Sequence, residues 1–244
     1  MITRRDSFGA LGVGAAFLAQ VDGAEAQGAG AAPQGALAPA FAGKHEPVAL
    51  PFDPKALKGL SEKLIVSHHD NNYAGAVKNL NKVEQELART NADTPAFLVG
   101  GLQQSALQFA NSMVLHEHYF ANLGGDGKAS GAVSDLLANA YGSLARWEEL
   151  FRATGMSLGG GSGWVALAYE LTSGAVSIVW SGHHTQHRAA SAPLLVMDMY
   201  EHAYQMDYGA ATAKYVDAFF ANVQWEEVNR RLGRAQKASA ALRG

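Results

Sequence analysis

The chain has 244 residues, 48% of them hydrophobic and 17% charged, with a formal charge of −3. That is long enough to bury a sizeable core, and the scattered basic residues exclude the electrostatic footprint of a nucleic-acid or anionic-membrane binder. Cysteine is absent, which excludes disulfides, thiolate metal sites and cysteine nucleophiles, and leaves the nine histidines and the carboxylates as the available metal ligands.

The first residues read as an address. Thr3-Arg4-Arg5-Asp6-Ser7-Phe8 is similar to a twin-arginine export motif, and Phe8 to Ala19 follows as a weakly apolar stretch too short to span a membrane as a stable helix. Ala24-Glu25-Ala26 then offers a small-x-small cleavage site. Residues 1–26 are therefore expected to be a twin-arginine-type signal peptide, with export to the periplasm or beyond and no membrane anchor after its removal. A disordered tail that happens to hold two arginines is the plainer alternative. Residues 27–46 are rich in Ala, Gly, Pro and Gln and carry too little large apolar surface to offset chain entropy, so they read as a flexible linker.

After Pro51 and Pro54 a helical pattern begins, with Leu57, Leu60, Leu64, Ile65, His68, Ala76, Val77, Leu80 and Val83 at three- and four-residue steps. A polar break at Asn91 to Thr94 precedes Pro95, and a second helix runs through Leu102, Ala106, Phe109, Met113, His116 and Phe120. The pair predicts an antiparallel helical hairpin over 47–130, ended by Gly124-Gly125-Asp126-Gly127. A third amphipathic helix is expected over 132–154.

The pattern changes at Gly159-Gly160-Gly161-Ser162-Gly163. Trp164 to Leu171 and Ala175 to Trp180 are β-prone runs joined by Thr172-Ser173-Gly174, which predicts a β-hairpin, and Pro193 to Met197 predicts a third, fully apolar strand. Helices resume near Glu201, and Tyr215 to Leu232 is expected to close the fold. The class is α+β: a helical N-terminal half, then a C-terminal half (131–244) with a small three-stranded antiparallel sheet flanked by helices.

Asp198 and His202 stand four residues apart where a strand runs into a helix, so both can approach one ion. Alone, this pair is also what a helix-start Asp and a surface His give. His68 and His116 each lie on the apolar stripe of their own helix, where an unpaired imidazole carries a desolvation cost. A hydrogen-bonded core histidine accounts for either one alone, and a shared metal accounts for both together with the Asp–His pair.

These residues stand in five ordered matches that resemble the iron/manganese superoxide dismutase family, from about Pro47 to Arg231. His68 precedes Asn79-Leu80-Asn81; His116 lies within Asn111 to Leu123 with Tyr119 and Phe120; and Asp198-Met199-Tyr200-Glu201-His202-Ala203-Tyr204 follows the family's D-x-W-E-H-A-Y. Gly161-Ser162-Gly163-Trp164 and Asn222-Val223-Gln224-Trp225 complete the set. The resemblance implies a redox enzyme that converts superoxide to dioxygen and hydrogen peroxide at one iron or manganese ion per subunit. It also implies His68, His116, Asp198 and His202 as ligands, with one solvent molecule completing the shell. Such N and O donors suit metals that cycle by one electron.

The resemblance further implies a catalytic set of Trp164, His184, Tyr200 and Glu201. His184 falls where many members have a Gln that hydrogen-bonds the bound solvent, with His183 beside it; an exposed turn of His183, His184 and His187 with no catalytic part is the rival reading. Tyr200 replaces the Trp that usually lies beside the metal. Glu201 matches a residue that reaches across a subunit interface, which implies a homodimer or a higher homo-oligomer. Asn72, Ala76 and Gln205 stand where the family has His, Tyr and Tyr, while Tyr73 and His69 sit one helical step round. An altered channel beside intact ligands leaves an alternative: an exported metal-binding protein on the same scaffold with little dismutase activity. Val196 and His184 depart from the Gly and Gln common in manganese members, which favours iron.

Overall fold

The computed structural model describes residues 37–244; the expected signal peptide and residues 27–36 of the expected linker lie outside the described residues. Of the linker's remainder, Pro39–Phe41 form a 3-10 turn and His45 is tied down. Asn81 accepts its backbone N–H at 2.8 Å and donates to its carbonyl at 2.9 Å, while Glu84 meets its ring at 2.8 Å.

The first helical pattern divides into α1 (Glu62–Ser67), a π-helical segment (His68–Tyr73) and α2 (Ala74–Leu87). Helix α1 starts later than the apolar pattern because the Ser61 side chain caps it, accepting the N–H of Leu64. The π segment widens the turn and re-phases every side chain after His68, a distortion common at functional sites. Helix α3 (Ala96–Ala121) begins after Pro95 and packs along α2. The helix expected over 132–154 is in fact two, α4 (Ala132–Tyr141) and α5 (Leu144–Met156). Gly142 breaks it with φ at 83°, and the Ser143 side chain caps α5 by accepting the N–H of Arg146.

Strands β1 (Trp164–Glu170), β2 (Val176–Ser181) and β3 (Ser191–Asp198) form one antiparallel sheet in the order β2-β1-β3. Central β1 is buried almost throughout, so its apolar run is continuous rather than alternating, as expected for a strand covered on both faces. In its register Trp164 lies opposite both Ser181 and Asp198, which brings the start of β1 beside the end of β3. Beyond a 3-10 turn (Glu201–Ala203) come α6 (Gln205–Tyr208), α7 (Thr212–Ala221) and α8 (Trp225–Arg243). The closing helix expected from Tyr215 is interrupted at Asn222, whose amide turns inward to bind both the N–H and the carbonyl of Lys58. One continuous core runs from Leu57 to Ala235 and joins the helical hairpin to the sheet. Among the described residues no helix is long and apolar enough to cross a membrane.

Candidate metal centre

Four side chains from four separate stretches meet where the start of the π segment, the last turns of α3, the end of β3 and the 3-10 turn Glu201–Ala203 converge. One oxygen, Oδ2 of Asp198, lies 3.1 Å from His68 Nε2, 3.2 Å from His202 Nε2 and 3.6 Å from His116 Nε2. The donor atoms of the four residues all lie within 4.8 Å of one another. His68, His116 and Asp198 are buried and His202 is partly so. Donors bound to one transition-metal ion at about 2.1 Å stand roughly 3 to 4 Å apart, close to this spacing.

Two of the donors, His116 and Asp198, are aimed by backbone groups beside them. His116 Nδ1 donates to the carbonyl of Ser112 at 2.7 Å, so the proton sits on Nδ1 and the lone pair on Nε2. That Nε2 is buried and has no hydrogen-bond partner, an arrangement that burial makes costly unless something takes the lone pair. Asp198 Oδ1 accepts the backbone N–H of Tyr200 at 2.8 Å, which turns Oδ2 toward the three rings, and its carbonyl accepts the Tyr215 hydroxyl at 2.6 Å.

The electrostatics prepare the cluster for a cation. Burial pushes the Asp198 carboxyl up, but the charge of His202 and the hydrogen bonds of His202 and His68 outweigh it and hold it well below the usual carboxylate range. Burial pulls His68 down and, helped by the neighbouring His68, pulls His116 to about 3, so both rings are neutral at physiological pH. His202 differs. Burial lowers it, yet the Asp198 charge and hydrogen bond raise it overall, so the proton this cluster takes up most readily is the one a cation must displace. Three imidazole nitrogens and one carboxylate oxygen fit a first-row transition metal.

A cavity of about 230 Å³ opens beside the cluster, and its lining includes Asn72, Ala76, Phe109, His116, His184 and His202. His184 thus faces the cluster, with its ring centroid 6.4 Å from that of His116. Trp164 donates its indole N–H to His184 Nδ1 at 2.9 Å, which leaves the His184 proton on Nε2. Burial pulls this imidazole down to about 4, so it is a neutral donor. Tyr200 stacks on His184 at 4.6 Å and on His202 at 5.3 Å, both nearly parallel, and its buried hydroxyl has no partner; burial, with the Asp198 charge, pushes its pKa up to about 12. His183 is turned elsewhere, its Nδ1 3.1 Å from the Thr185 hydroxyl. Glu201 is exposed and has no ion pair among the described residues; it shares a surface cleft with Gln205 and Gly160.

Tyr73 stands apart from this cavity. Its hydroxyl donates to Glu117 at 2.9 Å and accepts the Val48 N–H at 2.7 Å, while His69 bonds the Val48 carbonyl and Asp70. The channel therefore has no tyrosine from this helix. Sequence reasoning did not find Tyr215, seventeen residues beyond Asp198, nor the bond from the Asn111 amide to the His184 carbonyl at 2.7 Å. Neither leaves a local spacing signal, because both are contacts made across the fold.

Comparison with known proteins agrees with this architecture. Residues 129–231 match the family described as iron/manganese superoxide dismutases, C-terminal domain. The chain is 46% identical over 184 residues to the superoxide dismutase [Fe] of Cupriavidus metallidurans, covering 75% of this chain and 93% of that protein. It is 32% identical to the superoxide dismutase [Fe] of Aquifex pyrophilus, over 78% of this chain and 92% of that one. With superoxide dismutase [Mn] 1 of Halobacterium salinarum it shares 31% identity, over 76% and 94% respectively.

Proposed function

The chain belongs to the iron/manganese superoxide dismutase family, and from that premise we propose that His68, His116, Asp198 and His202 hold one iron or manganese ion at which two superoxide anions and two protons become dioxygen and hydrogen peroxide. The observation that carries this reading is the buried His116 Nε2, left without a partner among donors within 4.8 Å of one another. When bound, the ion supplies a one-electron couple between divalent and trivalent states. The protein supplies everything else.

Asp198 contributes a fixed negative charge and the three neutral rings contribute none, so the cluster compensates only part of the charge of its ion, and an anionic substrate is still attracted. The 230 Å³ cavity between Asn72 and His184 supports a route for a diatomic anion. His184, with its Nδ1 engaged by Trp164, has Nε2–H free to donate toward the cluster. Its role in this reading is to orient the solvent there and pass protons toward the product. Tyr200 and Trp164 keep that ring in one orientation. Dismutation assayed on protein of measured metal content tests the reading; stoichiometric metal with no turnover would favour the alternative of a metal-binding protein instead.

Three finer readings belong with this one. Iron is the preferred metal, supported by Val196 and His184 and by the iron-named relatives of Cupriavidus and Aquifex. A homodimer or higher homo-oligomer is supported by the exposed, unpaired carboxylate of Glu201 beside Gln205, and sedimentation of a Glu201→Ala variant tests it. Export through the twin-arginine pathway, ending outside the cytoplasm, is supported by the order of Arg4-Arg5, apolar run and Ala24-Glu25-Ala26. Normal export of an Arg4→Lys, Arg5→Lys double variant would sink that assignment.

A further inference from the structure

A second cavity, of about 520 Å³, lies between α8, the end of α3 and the free edge of β3, and opens beside Val48. Protein interiors hold few voids larger than a water molecule, whereas ligand pockets span roughly 300 to 1,000 Å³ and are mostly apolar with a few convergent polar groups. This cavity has that composition. Leu171, Ala192, Pro193 and Ala235 line it, and so do Arg230 and Arg234. It extends along α8 from Glu227 to Ala238, a distance of about 16 Å at the helical rise.

The charges around it are unevenly spent. Arg231 is fully engaged with Glu227, Asn122, the Leu194 carbonyl and the His118 carbonyl. Arg230 is paired with the same Glu227, and Glu117 takes the Tyr73 hydroxyl. Arg234 has no acidic partner among the described residues. Three arginines thus face two glutamates.

The sheet edge beside the cavity is closed to an added strand. Pro193 has no N–H, the N–H of Val196 is taken by Asn122 at 2.9 Å, and the carbonyl of Leu194 is taken by Arg231 at 3.1 Å. An extended peptide would find no ladder here. A slender chain without backbone hydrogen-bonding groups has no such need, and the small side chains of Ala192, Ala235 and Ala238 leave room for it.

We propose that this groove binds a single linear alkyl chain bearing an anionic head, of the fatty-carboxylate class, with the chain along α8 and the head on Arg234. The test is calorimetric titration of the metal-loaded, full-length protein with dodecanoate below its micellar range. Parallel titrations use dodecanol and phosphatidylglycerol vesicles. Saturable binding of one dodecanoate per chain is expected. It should weaken roughly tenfold or more in Arg234→Ala, which removes a charge-assisted hydrogen bond, recover in Arg234→Lys, and vanish in Ala238→Trp, which fills the groove from an exposed position. Circular dichroism checks that each variant is folded. Absence of saturable binding, or equal binding by all variants, overturns the proposal. Dodecanol bound as tightly as dodecanoate removes the anionic head from it, and binding to vesicles but not to dodecanoate replaces the single chain with a membrane surface.

Discussion

The four-residue cluster and the channel beside it are built in different ways. In the cluster, His116 is fixed by the Ser112 carbonyl and Asp198 by the Tyr200 N–H, backbone groups close to each in the chain. The channel is lined by Asn72, Ala76 and Phe109 among others, and His184, the imidazole there that lies outside the cluster, depends on Trp164, Asn111 and Tyr200 from three other parts of the chain. On the proposed reading, binding an ion and feeding it are therefore separable: changes in the cluster should remove the ion, and changes along the channel should alter turnover with the ion kept.

Breaking the cluster should give the largest effect. Asp198→Asn keeps the shape but removes the buried charge that three histidines face, and metal content measured by emission spectrometry is expected to fall below a tenth of the wild type, with activity falling alongside. Retained stoichiometric metal would show that the carboxylate is not a ligand.

Acid should break the cluster next. Burial holds His116 at about 3 and His184 at about 4 against an ordinary 6.5, so below pH 6.5 the unfolded chain takes up protons that the folded chain refuses. Stability is therefore lost as pH falls from 6.5 toward 4. Asp198, held below its ordinary value, adds a loss of the same sign at still lower pH. His202 is raised and opposes them, its contribution being complete below pH 6.5 and lost as pH rises through its folded value. The melting temperature of metal-free protein should decline between pH 6.5 and 4.5, and a flat profile would contradict this electrostatic account.

The channel sharpens the comparison from the other side. His184→Ala should leave the protein folded and largely metal-loaded while lowering dismutation by about tenfold or more, and His183→Ala, whose ring faces Thr185, should do much less. Equal, small effects on turnover would remove His184 from proton delivery. Smaller still is the expected response to Asn72→His, which adds a ring at the channel wall; metal content should not move, and the pH dependence of activity should.

All four donors were legible in the sequence: His68 and His116 stand on apolar helical stripes, Asp198 and His202 stand four residues apart at a strand end, and the resemblance to the iron/manganese superoxide dismutase family joined them into one set. Secondary structure was legible from local patterns, down to the hairpin turn at Ser173-Gly174. The place of Tyr73 one helical step round from the channel was legible too, and its hydroxyl meets Glu117 and Val48 instead. What escaped was set by longer-range physics. The π segment over His68–Tyr73 left no mark in the apolar periodicity. The break at Gly142 was readable in principle, since a glycine followed by a capping serine stood inside the expected helix. The bond from Tyr215 to the Asp198 carbonyl was not, because only the folded chain brings α7 beneath the end of β3.

The most direct measurement is the metal content of His116→Ala set beside its dismutase activity. Wild-type protein should carry one iron or manganese ion per chain, and the folded variant should lose both that ion and its turnover, because the unpartnered Nε2 is the donor removed. Undiminished metal in a folded His116→Ala variant would contradict the assignment of these four residues as the metal centre.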